Sequence, residues 1–353
     1  MSTSPNDSFL FDPHAAPVDI RNLDVNILIS LLISLIAIMA LAGNILVIFA
    51  VFHCHRLREK KSNLFIVNLS VTDLLSASVV MVSSVVAVIF DRWPMGKVWC
   101  SMVCGANYCF IIVSMLTLSL ISLDRYMAIH YPLRHIVLVN KRKVLVLIAY
   151  TWLQGLAFGL APILCDWVEY DYWEVTCAIQ WYLYGNPVLI YVIVTFILCF
   201  MLPGVVITIS YCTILRTAKK MKPLPQIKPI PQIKSIPQTS SDVLSESSIV
   251  ISPKPRVLSN TLHKRVGFAH EGSKAVRSLL IVVLAFFICM TPFSVIKLYK
   301  VAFGDPLPGY ASILATFFQF MSSAVNPFIY ALFRQDFQLA FLQILCPSLH
   351  SRG

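Results

Sequence analysis

Asp73 is the carboxylate that asks most of its surroundings. It lies in Asn68-Leu69-Ser70-Val71-Thr72-Asp73, inside an apolar run. A charge taken out of water needs polar partners. Other apolar runs offer Asn44, Ser114, Ser322, Ser323 and Asn326, and Ser322 and Asn326 are four apart, on one helical face. A carboxylate among hydroxyls and amides suits a small hard cation or a water cluster. A satisfied polar knot with a purely structural role is the equal alternative. Asp124-Arg125-Tyr126 ends another apolar run. Arg125 cannot shed its charge. Asp124 can hold it at rest, and release would present it to a partner; plain snorkelling of the guanidinium is the competing reading. Lys297 and Lys300 end a later run and could draw an anionic ligand, with snorkelling the preferred reading. His53-Cys54-His55 resembles a metal cluster but has no second ligand pair at a suitable spacing, so it reads as a loop beside a membrane.

Composition decides what must position these groups. The chain is 58% hydrophobic and only 13% charged, with mean hydropathy +0.76. A soluble domain carries about 25% charged residues, so this chain could not coat a water-facing surface. Seven runs are apolar enough to span a bilayer, at about 20 residues each: 27–51, 64–90, 98–121, 144–164, 187–215, 275–301 and 310–333. Unbroken runs of this length rule out barrel strands. The fold class expected is an all-α membrane protein, a seven-helix bundle.

Charge sets the orientation. Arg56, Arg58, Lys60 and Lys61 follow the first run, Arg134, Lys141, Arg142 and Lys143 follow the third, and Arg216, Lys219, Lys220, Lys222, Lys264, Arg265, Lys274 and Arg277 follow the fifth. The fourth gap holds Asp166, Glu169, Asp171 and Glu174 instead. Positive loops face the cytoplasm, which puts the N-terminal tail (1–26) outside and the last segment (334–353) inside. The net charge of +11 is therefore a topology signal, and nucleic acid is not an expected partner. The tail has no apolar core, so the first span should serve as its own insertion signal. Asn6-Asp7-Ser8 is a glycosylation sequon on the outer side.

Cys100 stands about 25 residues before Arg125, roughly 37 Å at the helical rise, so the two mark opposite faces. Cys177 lies in the acidic outer loop, where thiols oxidise. A Cys100–Cys177 bridge would pin that loop over the third span; Cys165 is the other candidate, disfavoured by its place at the end of the fourth run. Cys104, Cys109, Cys199, Cys212 and Cys289 lie within apolar stretches and read as small buried apolar residues. Pro162, Pro203, Pro292 and Pro327 should break or kink the later spans. The one long loop, 217–272, contains Pro225-Gln226-Ile227-Lys228-Pro229-Ile230 and then Pro231-Gln232-Ile233-Lys234-Ser235-Ile236. That repeat and the serines after it read as disordered and phosphorylatable, or as an inert linker.

Taken in order, these motifs resemble the rhodopsin-like G-protein-coupled receptor family. The resemblance runs through Gly43-Asn44, Leu69-Ser70-Val71-Thr72-Asp73, Cys100, Asp124-Arg125-Tyr126, Trp152, Pro203 with Tyr211, Phe286 with Cys289-Met290-Thr291-Pro292, and Asn326-Pro327-Phe328-Ile329-Tyr330. Phe333-Arg334 would open a short amphipathic helix. The resemblance implies a plasma-membrane receptor that couples to a heterotrimeric G protein. Asp124, Arg125, Tyr126, Leu133, Tyr211 and Tyr330 would do the coupling. Asn44, Asp73, Ser114, Ser322, Ser323 and Asn326 would form a sodium and water site. It further implies the Cys100–Cys177 disulfide, palmitoylation of Cys346, contacts with membrane lipids, and arrestin and receptor kinases acting at the third cytoplasmic loop.

The departures from the family pattern are informative. Met290 stands where Trp is usual, and Ser322 where many members carry Asn. Gly272 occupies the usual ionic-lock position, one residue from Glu271, which implies raised basal activity. Asn107 replaces the Asp that amine receptors use, so an amine would lack its counter-ion. Opsins need a Lys in the seventh span; Phe320 stands there and no Lys follows Lys300, which excludes covalent retinal. No cofactor is expected. Asn107, Tyr108, Ile111, Met290, Phe293, Ser294, Lys297, Phe317 and Phe320 should line an apolar ligand pocket. Transporters show internal repeats, which this chain lacks. An intramembrane hydrolase needs paired aspartates or a Ser/His dyad, and Asp73 is the one mid-span carboxylate, with no His in a span. No enzyme is expected. The remaining alternative is a receptor-like protein that couples to nothing and modulates a partner by dimerising.

Overall fold

The computed structural model describes residues 21–180, 186–220, 280–303 and 307–345. Among them, seven helices are long and apolar enough to cross a membrane: Leu23–His53, Asn63–Ile89, Gly96–His130, Lys141–Leu164, Pro187–Thr217, Leu280–Phe303 and Gly309–Phe333. Each expected run became one of them. The chain is thus a multi-pass membrane protein. Its outward faces carry apolar side chains such as Leu31, Leu35, Ile38, Leu153 and Leu160, all exposed. In water that belt would aggregate; in a bilayer it is the solvated face.

The third span runs nine residues further than its apolar run, to His130. Nothing between Ser122 and His130 breaks a helix, and Ser122 Oγ donates back to the Leu118 carbonyl at 2.9 Å. Pro132 then opens a separate helix, Pro132–Leu138, at the first-turn position where its missing N–H costs nothing. The first and third spans thereby take in His53 and His130 at their C-terminal ends. Residue 54 is a single extended junction and His55–Arg58 a helical turn, so the His-Cys-His stretch is not a plain loop.

The prolines do not break the spans. Helix continues through Pro162 and Pro327 and through Pro292, because packed neighbours hold the backbone where one hydrogen bond is lost. The irregularities are π-helical turns instead, Phe196–Met201 just before Pro203 and Ser76–Met81 in the second span. Such turns absorb an extra residue without ending the helix. The seventh span gives way at Arg334 to an amphipathic helix, Gln335–Leu345, which buries Phe337, Ala340 and Phe341.

Polar ties and small residues set the packing. Trp152 Nε1 donates to Asn68 Oδ1 at 2.8 Å, and Asn68 Nδ2 donates to Thr117 Oγ1 at 2.8 Å, linking the second, third and fourth spans. The third and fourth spans approach closely where Gly105 faces Gly159. A Cβ at 159 would stand 2.5 Å from the Gly105 carbonyl oxygen. Gly159→Leu should therefore force the helices apart, at a cost of about 1–3 kcal/mol or more. Thermal unfolding of the purified protein should show a clear drop, with Leu160→Ala, on the lipid face, close to wild type.

Beyond the fourth span the chain forms an antiparallel hairpin, β1 (Val168–Asp171) and β2 (Thr176–Ile179), with Tyr170 opposite Cys177. Cys177 is bonded to Cys100 at the start of the third span, with their Cα atoms 5.4 Å apart, and Cys165 is free. Trp173 in the turn lies so close over Gly309 that any side chain there would collide with the indole. Both contacts seat the hairpin on the outer end of the bundle.

Candidate functional site

Three polar regions lie along the bundle axis. At the inner end, Arg125 Nη2 lies 2.7 Å from Asp124 Oδ2 and donates to Ser62 Oγ at 2.7 Å. Asp124 Oδ1 also meets His135 Nε2 at 2.9 Å. Helix continuity puts Arg125 there, since the third span carries it past the apolar run. Ser62 and His135 are partners that sequence reasoning missed, because the turn that carries Ser62 and the short helix that carries His135 are placed by tertiary packing. Tyr126 points elsewhere, stacked on His130 at 4.5 Å. Leu133 stands out from its short helix, 81% exposed. Tyr211 and Tyr330 are buried in the core cluster that closes the inner half of the bundle, with Leu118, Ile121 and Phe286. The Tyr330 hydroxyl has no hydrogen-bond partner among the described residues, and its ring lies against Phe337 at 5.3 Å.

At mid-depth, Asn326 Nδ2 donates to Asp73 Oδ2 at 2.8 Å. The Ser323 side chain is the second hydrogen-bond partner of Asp73, while Asn44, Ser114 and Ser322 are turned to different partners. Asn44 Nδ2 donates to the Ala40 and Ser323 carbonyls, Ser114 Oγ meets Thr72 Oγ1 at 3.1 Å, and Ser322 Oγ donates to the Gln319 carbonyl in its own helix. Ser114, Ser322 and Ser323 do share a small cavity with Thr72, Ser76 and Gln319 on one side and Phe110, Phe286 and Met290 on the other, but it holds only about 10 Å³. That is room for one water. In this arrangement the carboxylate is answered by the Asn326 amide and the Ser323 side chain, while Asn44, Ser114 and Ser322 bond other groups. The physical reason is local: helical serines and threonines find the carbonyl three or four residues back before they find a distant carboxylate.

At the outer end a cavity of about 100 Å³ opens between the third, fifth and sixth spans. Six of the expected residues line it: Tyr108, Ile111, Met290, Phe293, Ser294 and Lys297. Asn107, Phe317 and Phe320 do not. Asn107 accepts from Gln319 Nε2 at 2.6 Å, while Phe317 and Phe320 pack with the first and second spans. The fifth span supplies what sequence reasoning omitted: Tyr191, Val192, Thr195, Phe196, Cys199 and Phe200. Their spacing of four repeats along one face, a signal present in the sequence.

The lysines above this cavity do not snorkel. Lys297 is buried, at 6% exposure, and donates to Glu174 Oε2 in the hairpin turn. Lys300 donates to Glu174 Oε1 at 2.7 Å and Asp171 Oδ2 at 3.1 Å. The hairpin covers the bundle where water would otherwise stand, so its carboxylates replace water as the answering groups. Burial works to raise the Glu174 carboxyl, but Lys297 and then Lys300 outweigh it and bring it down to about 2. The turn is built for this placement. Asp171 Oδ1 accepts from the backbone N–H of both Trp173 and Glu174, Thr316 Oγ1 donates to the Glu174 carbonyl at 3.1 Å, and Val175 takes a left-handed φ of 52°.

Asn6, the 221–272 part of the long loop with Glu271 and Gly272, and Cys346 lie outside the described residues.

Similarity to known proteins agrees with this layout. Residues 43–330 match the family described as 7 transmembrane receptor (rhodopsin family). The chain is 29% identical over 324 residues to the octopamine receptor beta-1R of Drosophila melanogaster, covering 89% of this chain and 60% of that protein. It is 28% identical over 352 residues to the alpha-1A adrenergic receptor of Cavia porcellus, covering 98% and 72%. The crystal structure of squid rhodopsin superposes with a TM-score of 0.76 at 21% identity, covering 95% of this chain and 89% of that one. At that identity the likeness speaks for the fold.

Proposed function

This chain belongs to the rhodopsin family of seven-transmembrane receptors, and on that premise we propose that it carries an extracellular signal to heterotrimeric G proteins. The observation that supports this best is the state of Arg125. It sits at the cytoplasmic end of the longest span, tied to Asp124 and Ser62, both of which can release it. A helix-borne cation held by exchangeable partners is a switch that a second protein can capture. Leu133, exposed on the neighbouring short helix, supplies an apolar contact beside it. The signal would be a small molecule taken into the outer cavity, whose described wall bears a lysine and no carboxylate. That composition speaks against an amine held by a buried acid. The receptor would act at the plasma membrane with its hairpin side outside, Asn6 glycosylated and Cys346 palmitoylated. Arrestin and receptor kinases would meet the loop 217–272.

The test is ligand-free G-protein activation in cells expressing the chain, across the main α-subunit classes, with Arg125→Ala at matched surface level. Signal above mock-transfected cells that vanishes in the variant supports coupling and names the class. Signal that persists in the variant overturns the role given to Arg125.

Tyr330 adds a second prediction. A buried hydroxyl without a partner costs about 1–3 kcal/mol, so Tyr330→Phe should leave the thermal midpoint unchanged or higher. If the hydroxyl finds its partner only in the signalling arrangement, the same variant should signal less. A lower midpoint would show that the hydroxyl is already satisfied at rest.

A further inference from the structure

The outer cavity joins an apolar wall to one cation, and that cation is balanced from another element. Tyr108, Met115, Phe196, Phe200 and Phe293 supply the wall. Lys297 is held on the sixth span with its ammonium 5.2 Å above the Phe293 ring centre. Its carboxylate partner, Glu174, comes from the hairpin turn. The charge fixed in the bundle is therefore positive, and the charge brought by the loop is negative. Glu174 also holds Lys300, but Lys300 keeps Asp171 if Glu174 turns away. Glu174 is next to Val175, whose left-handed backbone is costly for a β-branched residue. Local backbone preference therefore opposes this turn, which is held by its tertiary contacts.

Size points the same way. At about 100 Å³ the cavity falls below the roughly 300–1,000 Å³ of most ligand pockets. A ligand must extend it, and the direction that has an answering charge is toward Lys297. A buried lysine requires a carboxylate beside it. Exchanging one carboxylate for another keeps the four charges of Lys297, Lys300, Asp171 and Glu174 in balance, whereas an amine would add a third cation.

We infer that this cavity binds a small monocarboxylate with an apolar tail, whose carboxylate replaces Glu174 on Lys297 while the tail lies among Tyr108, Phe196, Phe200 and Phe293. Glu174 is then a built-in competitor that keeps the site closed until ligand arrives. The inference rests on the receptor reading above for its consequence, but binding itself needs no G protein.

The experiment uses the full chain in lipid nanodiscs and isothermal titration calorimetry. The probe is 4-phenylbutyrate, with 4-phenylbutanol and 4-phenylbutylamine as partners of the same tail. Saturable binding of the carboxylate is expected, with the alcohol and the amine at least about tenfold weaker. Glu174→Gln should tighten carboxylate binding about tenfold, because the competing state is removed. The double variant Lys297→Met with Glu174→Gln leaves no charge of that pair unpaired, so it should fold, and it should lose carboxylate binding. The inference is overturned if the amine binds better than the carboxylate, if Glu174→Gln weakens binding, if the double variant keeps it, or if neither wild type nor Glu174→Gln binds 4-phenylbutyrate. Because coupling is read without ligand and binding without G protein, either proposal can fail alone.

Discussion

Arg125→Ala is expected to lower G-protein activation by about thirtyfold or more at matched surface expression. Truncating one side of a hydrogen-bonded charge contact costs about 2–5 kcal/mol, and here the lost group is the one offered to the partner. The effect on folding should be smaller. Asp124 retains His135 at 2.9 Å, and the Arg125 side chain is itself 25% exposed, so its removal opens no sealed cavity. Arg125→Lys separates charge from shape. Lysine keeps the charge but lacks the planar fork. If it restores full signalling, a point charge suffices; a residual defect would locate the requirement in the guanidinium geometry. Ser62→Ala tests the resting contact. It should raise ligand-free signalling, since one of the two groups that hold Arg125 is gone, and an unchanged basal level would remove Ser62 from the switch. Surface-normalised nucleotide exchange reads all three.

The second large effect is expected at the outer face. Lys297→Met leaves Glu174, with 3% side-chain exposure, facing one lysine instead of two. Glu174→Gln leaves Lys297 buried without its carboxylate. Breaking a buried pair from one side costs about 3–5 kcal/mol, while replacing both partners is often close to neutral. The double variant should therefore unfold nearer to wild type than either single one, and the coupling in that cycle measures the pair. Additive losses would mean that the two side chains act independently. The pair also has a pH signature. Glu174 sits at about 2 in the folded chain, below its ordinary value near 4.3. Its contribution is full above that ordinary value and fades as pH falls toward 2. Thermal stability of the wild type should fall over that acid range more steeply than that of Glu174→Gln.

Much of this was legible from residue order. Seven apolar runs, a charge pattern with one polarity, and Cys100 one membrane thickness from Arg125 follow from hydrophobicity and helical rise, which act locally and need no neighbours. The Asp124–Arg125 contact was likewise readable, being adjacent in sequence. Partners that arrive from afar were not. Asp73 meets Asn326 and Ser323, but three other polar residues, Asn44, Ser114 and Ser322, do not turn to it, because nothing in the order of residues says that Ser114 will meet Thr72 or that Ser322 will bond its own helix. Residue order also points Phe317 and Phe320 to the ligand cavity, yet rotation of the seventh span turns them toward the first and second. The same rotation brings Gln319 to Asn107.

The sequence by itself determined the solvent, the number of spans and the residues able to carry charge through them. Those are properties of single segments transferring between water and lipid. Tertiary structure alone decided which face each helix presents, where the cavity lies and what answers its lysine. A bilayer favours any helix with an apolar surface but is nearly indifferent to its rotation about its own axis. That rotation is chosen by close contacts such as Gly105 on Gly159, by shared hydrogen bonds such as Trp152 to Asn68, and by a disulfide-held hairpin that brings Glu174 down onto Lys297.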